Sequence, residues 1–146
     1  MKNREIKFRA WNDEDKVMIE SDHLAFEYYE PLKDQLASCK YLMQSTGLKD
    51  GEGREIFESD IYYDEIEEDH GDRRIFYVIT WIKERAAFAC LSCDDGEYQS
   101  YQQVGIGAIE RSFEGFYYEL CEESMKKMHY KGNIHQYPEL LTPITK

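Results

Sequence analysis

The chain reads as a mainly-β protein with little helix, and three observations predict that class. Apolar residues recur with period two near the N-terminus, β-branched and aromatic residues fill residues 75–82, and turn clusters rich in Asp and Gly recur at near-regular intervals. Short strands at such spacing fit a small barrel better than a βαβ sheet, whose strands alternate with helical segments of about 10–15 residues.

Ile6, Phe8 and Ala10 alternate with Lys7, Arg9 and Trp11, the pattern of a half-buried strand. Asn12-Asp13-Glu14-Asp15 is a turn, and Lys16-Val17-Met18-Ile19 returns as the second arm of a hairpin. Residues 24–28 read as a further short strand and residues 31–40 as a connector. Tyr41-Leu42-Met43-Gln44 is a strand, and Asp50-Gly51-Glu52-Gly53 is a tight turn. Asp60-Ile61-Tyr62-Tyr63 opens a strand that runs into an acidic loop.

Residues 75–82, Ile-Phe-Tyr-Val-Ile-Thr-Trp-Ile, are apolar without alternation, which predicts a central strand covered on both faces. Lys83-Glu84-Arg85 turns it, residues 86–91 pair back, and Asp94-Asp95-Gly96-Glu97 makes the next turn. Gly105 and Gly107 argue against a long helix between Tyr98 and Tyr118, and no third glycine completes a dinucleotide loop. Residues 119–128 are expected as a short helix with Leu120, Cys121, Ser124, Met125 and Met128 on one side. A strand broken at Gly132-Asn133 follows over residues 128–135, then a terminal turn at residues 138–141.

A length of 146 residues fits one domain, which at this size buries about 68–70% of the surface its unfolded chain exposes. Twelve Tyr, seven Phe and two Trp exclude a solvated, disordered chain. No apolar run approaches the roughly 18 residues that span a bilayer, and no apolar segment follows the charged start, so a soluble cytoplasmic protein is expected. The net charge of −12 is not evenly spread. Residues 50–72 hold eleven Asp and Glu against Arg54 alone, and the flanking parts are close to neutral. Such a segment repels phosphate, so direct nucleic-acid binding is disfavoured.

Cys39, Cys90, Cys93 and Cys121 do not form a disulfide framework in a chain with no sign of secretion. Cys90 and Cys93 have CxxC spacing, but they fall in an expected strand, where residues three apart face opposite sides and cannot easily share one ion. His23, His70, His129 and His135 show no metal-ligand spacing, and no serine or cysteine has a nucleophile signature. The sequence thus nominates no catalytic residue, no metal site and no cofactor.

Five segments stand out in order along the chain: Phe8-Arg9-Ala10-Trp11, Leu42-Met43-Gln44-Ser45-Thr46-Gly47-Leu48-Lys49-Asp50, Gly53-Arg54-Glu55-Ile56-Phe57-Glu58-Ser59-Asp60-Ile61, Gly132-Asn133-Ile134-His135 and Pro138-Glu139-Leu140-Leu141. Together they resemble the YopX family, small proteins encoded by bacteriophages and prophages. The order matches the family's from one end of the chain to the other. The chain departs from it at Ser59, where the family usually carries Gly, at Ser45, usually aromatic, and at Tyr130-Lys131, usually aliphatic. The resemblance implies an SH3-like barrel over residues 54–146, preceded by a β-rich part over residues 1–53, or one interlocked domain over 1–146. It implies a setting in the bacterial host's cytoplasm, and it delivers no biochemical activity, because the family has no established role to carry over. Read physically, Phe8 and Trp11 are core anchors, Gly47, Gly51 and Gly53 form turns, and Asp60 accepts backbone N–H bonds.

The acidic loop is the remaining candidate. Asp64, Glu65, Glu67, Glu68 and Asp69 form the expected partner-binding surface of a non-catalytic module that meets a basic protein. The alternative is a metal-assisted hydrolase using Asp60, Asp64 and Glu67, and a third reading is a homo-oligomer paired through open sheet edges.

Overall fold

The computed structural model describes residues 6–20, 41–67, 69, 71–94, 96–106 and 118–141. The expected strand at 24–28 and the connector at 31–40 lie outside them. The described strands form two antiparallel sheets. In the first, β1 (Phe8–Asn12), β2 (Val17–Ile19), β3 (Leu42–Lys49) and β4 (Glu55–Phe57) lie in the order β2-β1-β3-β4. In the second, β5 (Asp60–Ile66), β6 (Arg73–Ile82), β7 (Ala87–Ser92), β8 (Tyr118–Glu119) and β9 (His129–Asn133) lie in the order β8-β7-β6-β5-β9. The protein is mainly β, and one sheet curls as a half-barrel. An SH3-like form of that barrel is not established by these sheets.

β6 occupies the middle of the five-stranded sheet and is covered on both faces. Tyr77 and Ile79 pack on one side with Ile56, Tyr62, Cys90 and Met125. On the other side Val78 joins Ile61 and Cys93, and Ile82 joins Ala89 and Leu91 beneath Tyr98 and Tyr101. Burial on both faces removes the pressure for polar residues at alternate positions, which explains the lack of alternation up to Thr80, while Trp81 remains 38% exposed. Cys90 and Cys93 fall in different clusters on opposite faces of the sheet, as strand geometry requires. Burial pushes both thiols up to about 12.

Helix is scarce and short. α1 (Glu97–Val104) follows Gly96 in the segment read as a turn and ends at Gly105, whose φ of +85° is open to glycine at no steric cost. Gly105 therefore ends the helix after eight residues, in keeping with the expectation that no long helix runs through it. α2 (Glu122–Met125) is a single turn within the expected 119–128 helix, and it buries Met125 against Tyr62 and Ile79. Single-turn 3₁₀ segments occupy Lys83–Arg85 and Pro138–Leu141.

One expectation fails in β1. Alternation assigns Arg9 to the polar face with Lys7, yet Arg9 is only 7% exposed, and Ala10 and Trp11 beside it are also buried. β1 is flanked by β2 and β3, and its Arg9 face turns toward the start of β5, where a carboxylate receives the guanidinium.

Candidate functional site

The acidic segment divides into an interior part and an exposed hairpin. Asp60 is fully buried and Asp50 nearly so. Glu55 is half-buried, accepts a hydrogen bond from Ser45 Oγ at 2.9 Å and lies 3.7 Å from Lys7 Nζ. Glu58 is also half-buried. Apart from Glu52 at the Asp50–Gly53 turn, the exposed carboxylates described in this segment lie in the β5–β6 hairpin.

β5 and β6 pair in register from Ile61 opposite Val78 to Ile66 opposite Arg73. Alternation puts Tyr62 and Asp64 on one face and Tyr63 and Glu65 on the other. Glu65 Oε1 lies 3.4 Å from Arg74 Nε, and the Arg74 guanidinium sits 4.8 Å from the centre of the Tyr63 ring. Tyr63 in turn stacks on His129 at 5.1 Å. Glu67 and Asp69 are exposed at the tip. Asp64 lines a depression of about 330 Å³ with Cys121, Glu123, Ser124, Lys127 and Met128. The exposed Cys121 thiol donates to Ser124 Oγ at 3.3 Å and accepts the Ser124 N–H at 3.5 Å, and this hydrogen bonding holds it below its ordinary range. Four of the five predicted contact residues therefore lie along one hairpin arm and its tip. Glu68 lies outside the described residues, as does His70.

The proposed hydrolase trio is not assembled. Asp60 is enclosed at the base of β5 against Arg9, whereas Glu67 is exposed beyond the other end of the same strand. Among the described residues no three His, Cys, Asp or Glu side chains come together as a metal site.

Beneath the hairpin, a buried polar network joins the two sheets. Arg9 Nη2 donates to Asp60 Oδ1, while Asp60 Oδ2 accepts the Phe57 N–H at 2.9 Å. The Arg9 guanidinium also covers the Phe57 ring, 4.3 Å from its centre. Desolvation pushes the Asp60 carboxyl up to about 6, outweighing the opposing pull of Arg9. Asp50 organises the neighbouring turn: its Oδ1 accepts the N–H groups of Glu52 and Arg54, each at 2.9 Å, and its Oδ2 accepts the Tyr62 hydroxyl at 2.9 Å. Burial, then the negative charge of Asp60 and Asp50, raises the Tyr62 phenol well above its ordinary value. Arg54 spans Asp50, 3.6 Å from its Oδ2, and the Tyr130 ring, 4.1 Å from its centre.

Sequence reading missed Arg9, Asp50, Arg54 and Tyr130 as one network, because the charged members look like surface residues when read singly. The available signal was that Arg9, Asp50, Arg54 and Asp60 all fall within the ordered family segments.

The YopX protein family model matches residues 7–142. The chain belongs to the YopX family. In this family member the matched segments supply the inter-sheet network, so Arg9 and Asp60 work there as scaffold. A crystal structure of protein EF1440 from Enterococcus faecalis is similar in fold, with a TM-score of 0.54 and 24% identity over 96% of this chain and 100% of that chain. No curated protein matches the chain.

Proposed function

We propose that this YopX-family chain is a non-catalytic protein-binding module whose acidic hairpin meets a basic surface on a partner protein. The family resemblance supports an accessory role in a phage or prophage setting within the bacterial cytoplasm. The observation that carries the reading is the separation of charge: Asp50 and Asp60 are held inside, while Glu65, Glu67 and Asp69 are exposed on one hairpin. Clustered charge of that kind accelerates encounter with a basic partner and makes binding sensitive to salt.

The test is an affinity capture from bacterial lysate with mass-spectrometric identification, using the native chain and a variant with Asp64, Glu65, Glu67, Glu68 and Asp69 as amides. A protein retained by the native chain, lost with the variant and released as salt rises identifies the hairpin as the interface. Identical captures with both baits overturn the reading.

A further inference from the structure

The β5–β6 hairpin runs beyond the strands that flank it. β5 and β6 pair as far as Ile66 opposite Arg73, whereas β9 accompanies β5 only to His129 opposite Tyr63. On the far side β7 accompanies β6 only to Ser92 opposite Tyr77. The Phe76 carbonyl then accepts the Cys93 N–H at 2.9 Å, and the Asp94 carboxylate takes the Phe76 N–H at 3.1 Å. Residues 64–66 and 73–75 are therefore a two-stranded extension, and among the described residues no strand pairs with its outer edges. In an antiparallel sheet the N–H and C=O of successive residues point alternately to the two neighbouring strands. The Phe76 carbonyl points toward β7, so Ile75 and Arg73 point into the hairpin, where Asp64 and Ile66 stand opposite them. Glu65, between those two, turns its N–H and C=O outward. This β5 edge is closed at one end only, by the Tyr63–His129 pair, and is open toward the tip.

The two outer edges carry opposite charge. The β6 edge bears the exposed Arg73 and Arg74, and the β5 edge bears the exposed Glu65, with Glu67 and Asp69 continuing it toward the tip. Arg74 reaches Glu65 across the hairpin, from the side away from the open edge. Among the described residues no cation lies within ion-pairing distance of Glu67 or Asp69. Beside the edge lies the depression of about 330 Å³ that Asp64 lines with Cys121, Glu123, Lys127 and Met128. Lys127 shares it with the two carboxylates, and Lys126 Nζ lies 3.5 Å from Glu123 Oε2, so the depression itself gives no preference to a cation. Met128 and the Cys121 side chain offer an aliphatic group apolar contact there.

We propose that the basic partner engages the hairpin through an extended segment, which adds to the open β5 edge at Glu65 in line with β9 and sets lysine or arginine opposite Glu65 and Glu67. The proposal rests on the binding role of the hairpin and specifies how the hairpin is read. A segment residue opposite Glu65 presents one N–H and one C=O, the complement of the outward pair there. Directly opposite residues share a face, so its cation lies beside Glu65 on the side away from Arg74. The next residue, opposite Asp64, takes the other face and turns an aliphatic side chain to the depression. Arg73 and Arg74 repel the same segment from the β6 edge, so charge selects one edge of the two.

Amide chemical shifts of the isotopically labelled full chain, titrated with acetyl-Thr-Lys-Thr-Lys-Val-amide, test the edge. Antiparallel addition sets the first lysine of this peptide opposite Glu67, the second opposite Glu65 and the valine opposite Asp64. The largest shift is expected at the Glu65 amide, at about 1 mM peptide, the range for so short a contact. N-methylation of the second lysine removes the donor to the Glu65 carbonyl and is expected to weaken binding about tenfold. N-methylation of the threonine between the lysines, whose N–H points away from β5, is expected to change affinity less than about twofold. Equal effects of the two methylations, or no shift at Glu65, overturn the strand addition. In that event a weaker peptide contact with E65Q/E67Q leaves the hairpin standing as a purely electrostatic surface, and no change with E65Q/E67Q removes both readings.

Discussion

Arg9 on β1 and Asp60 at the start of β5 form a buried ion pair that fastens the four-stranded sheet to the five-stranded one. Neither charge has access to solvent, since Arg9 is 7% exposed and Asp60 0%. The pair's contribution is specificity of docking more than net stability, because desolvating two ions offsets most of their attraction. The remaining acceptor of Asp60 fixes the Phe57 backbone, so one carboxylate sets both the sheet-to-sheet contact and the β4–β5 corner.

Removing one partner is therefore more damaging than removing both. R9M leaves the Asp60 carboxylate buried without its counter-ion, at a cost of about 3–5 kcal/mol. That corresponds to a fall in Tm on the order of 10 °C for a domain of this size. The R9M/D60N double variant is expected to recover a substantial part of the loss. Urea unfolding of the four proteins in the cycle measures it, and a double variant as unstable as the sum of the singles overturns the pairing.

Asp60 also makes stability depend on pH in an unusual sense. Its carboxyl titrates near 6 in the folded chain against an ordinary 3.8, so the folded state holds the proton more tightly than the unfolded state. The stabilisation is fully present below about pH 4 and is lost as pH rises through about 6. The stability of the native chain relative to D60N should consequently fall between pH 4 and 6. A carboxyl carbon resonance of Asp60 that titrates near or below 4 would overturn this, as would a flat stability difference across the window.

Ser59 is the departure from the family pattern with a visible structural consequence. The residue takes a φ of +73°, in the left-handed region that a side chain occupies at a cost of about 1–2 kcal/mol. The conformation is imposed from both sides, since the Ser59 N–H donates to the Ile79 carbonyl and its own carbonyl accepts the Ile134 N–H. S59G should relieve the strain and raise stability by about 1 kcal/mol, net of the added freedom of the unfolded chain. Equal or lower stability in S59G by urea unfolding would show that the turn holds no such strain.

The strand elements were legible because local pattern and global position agree in them. The run at residues 75–82 announces β6, and the turns at Asn12–Asp15 and Asp50–Gly53 punctuate the sheet where expected. Arg9 was illegible because alternation reports which face a side chain takes, and not whether that face meets water or a carboxylate from another sheet. α1 was illegible for a different reason. Its residues Glu97, Gln99, Gln102 and Gln103 carry no apolar stripe, and Tyr98 and Tyr101 alone mark the face that packs over Ile82 and Leu91. Within the acidic segment, Asp60 was legible as an acceptor of backbone N–H bonds, which it takes from Phe57, but charge counting alone did not show that Asp50 and Asp60 lie in the interior.

The thiols provide a test of the sheet geometry that does not depend on any binding partner. Cys90 and Cys93 sit on opposite faces of β7 and its exit, both buried, and both are pushed up to about 12. Almost no thiolate exists at either position at neutral pH, and reagent reaches them only when the sheet opens. Cys121 is exposed, and hydrogen bonding with the Ser124 side chain and from the Ser124 N–H lowers its thiol from the ordinary range. Iodoacetamide at pH 7.5, followed by peptide mass mapping, should therefore label Cys121 at least about tenfold faster than Cys90 or Cys93. S124A removes the side-chain hydrogen bond to Cys121 and should slow its labelling while leaving the other two unchanged. Rapid formation of a Cys90–Cys93 disulfide under mild oxidation would contradict the opposed faces, because two thiols on opposite sides of a strand cannot meet the short Cβ separation that a disulfide demands.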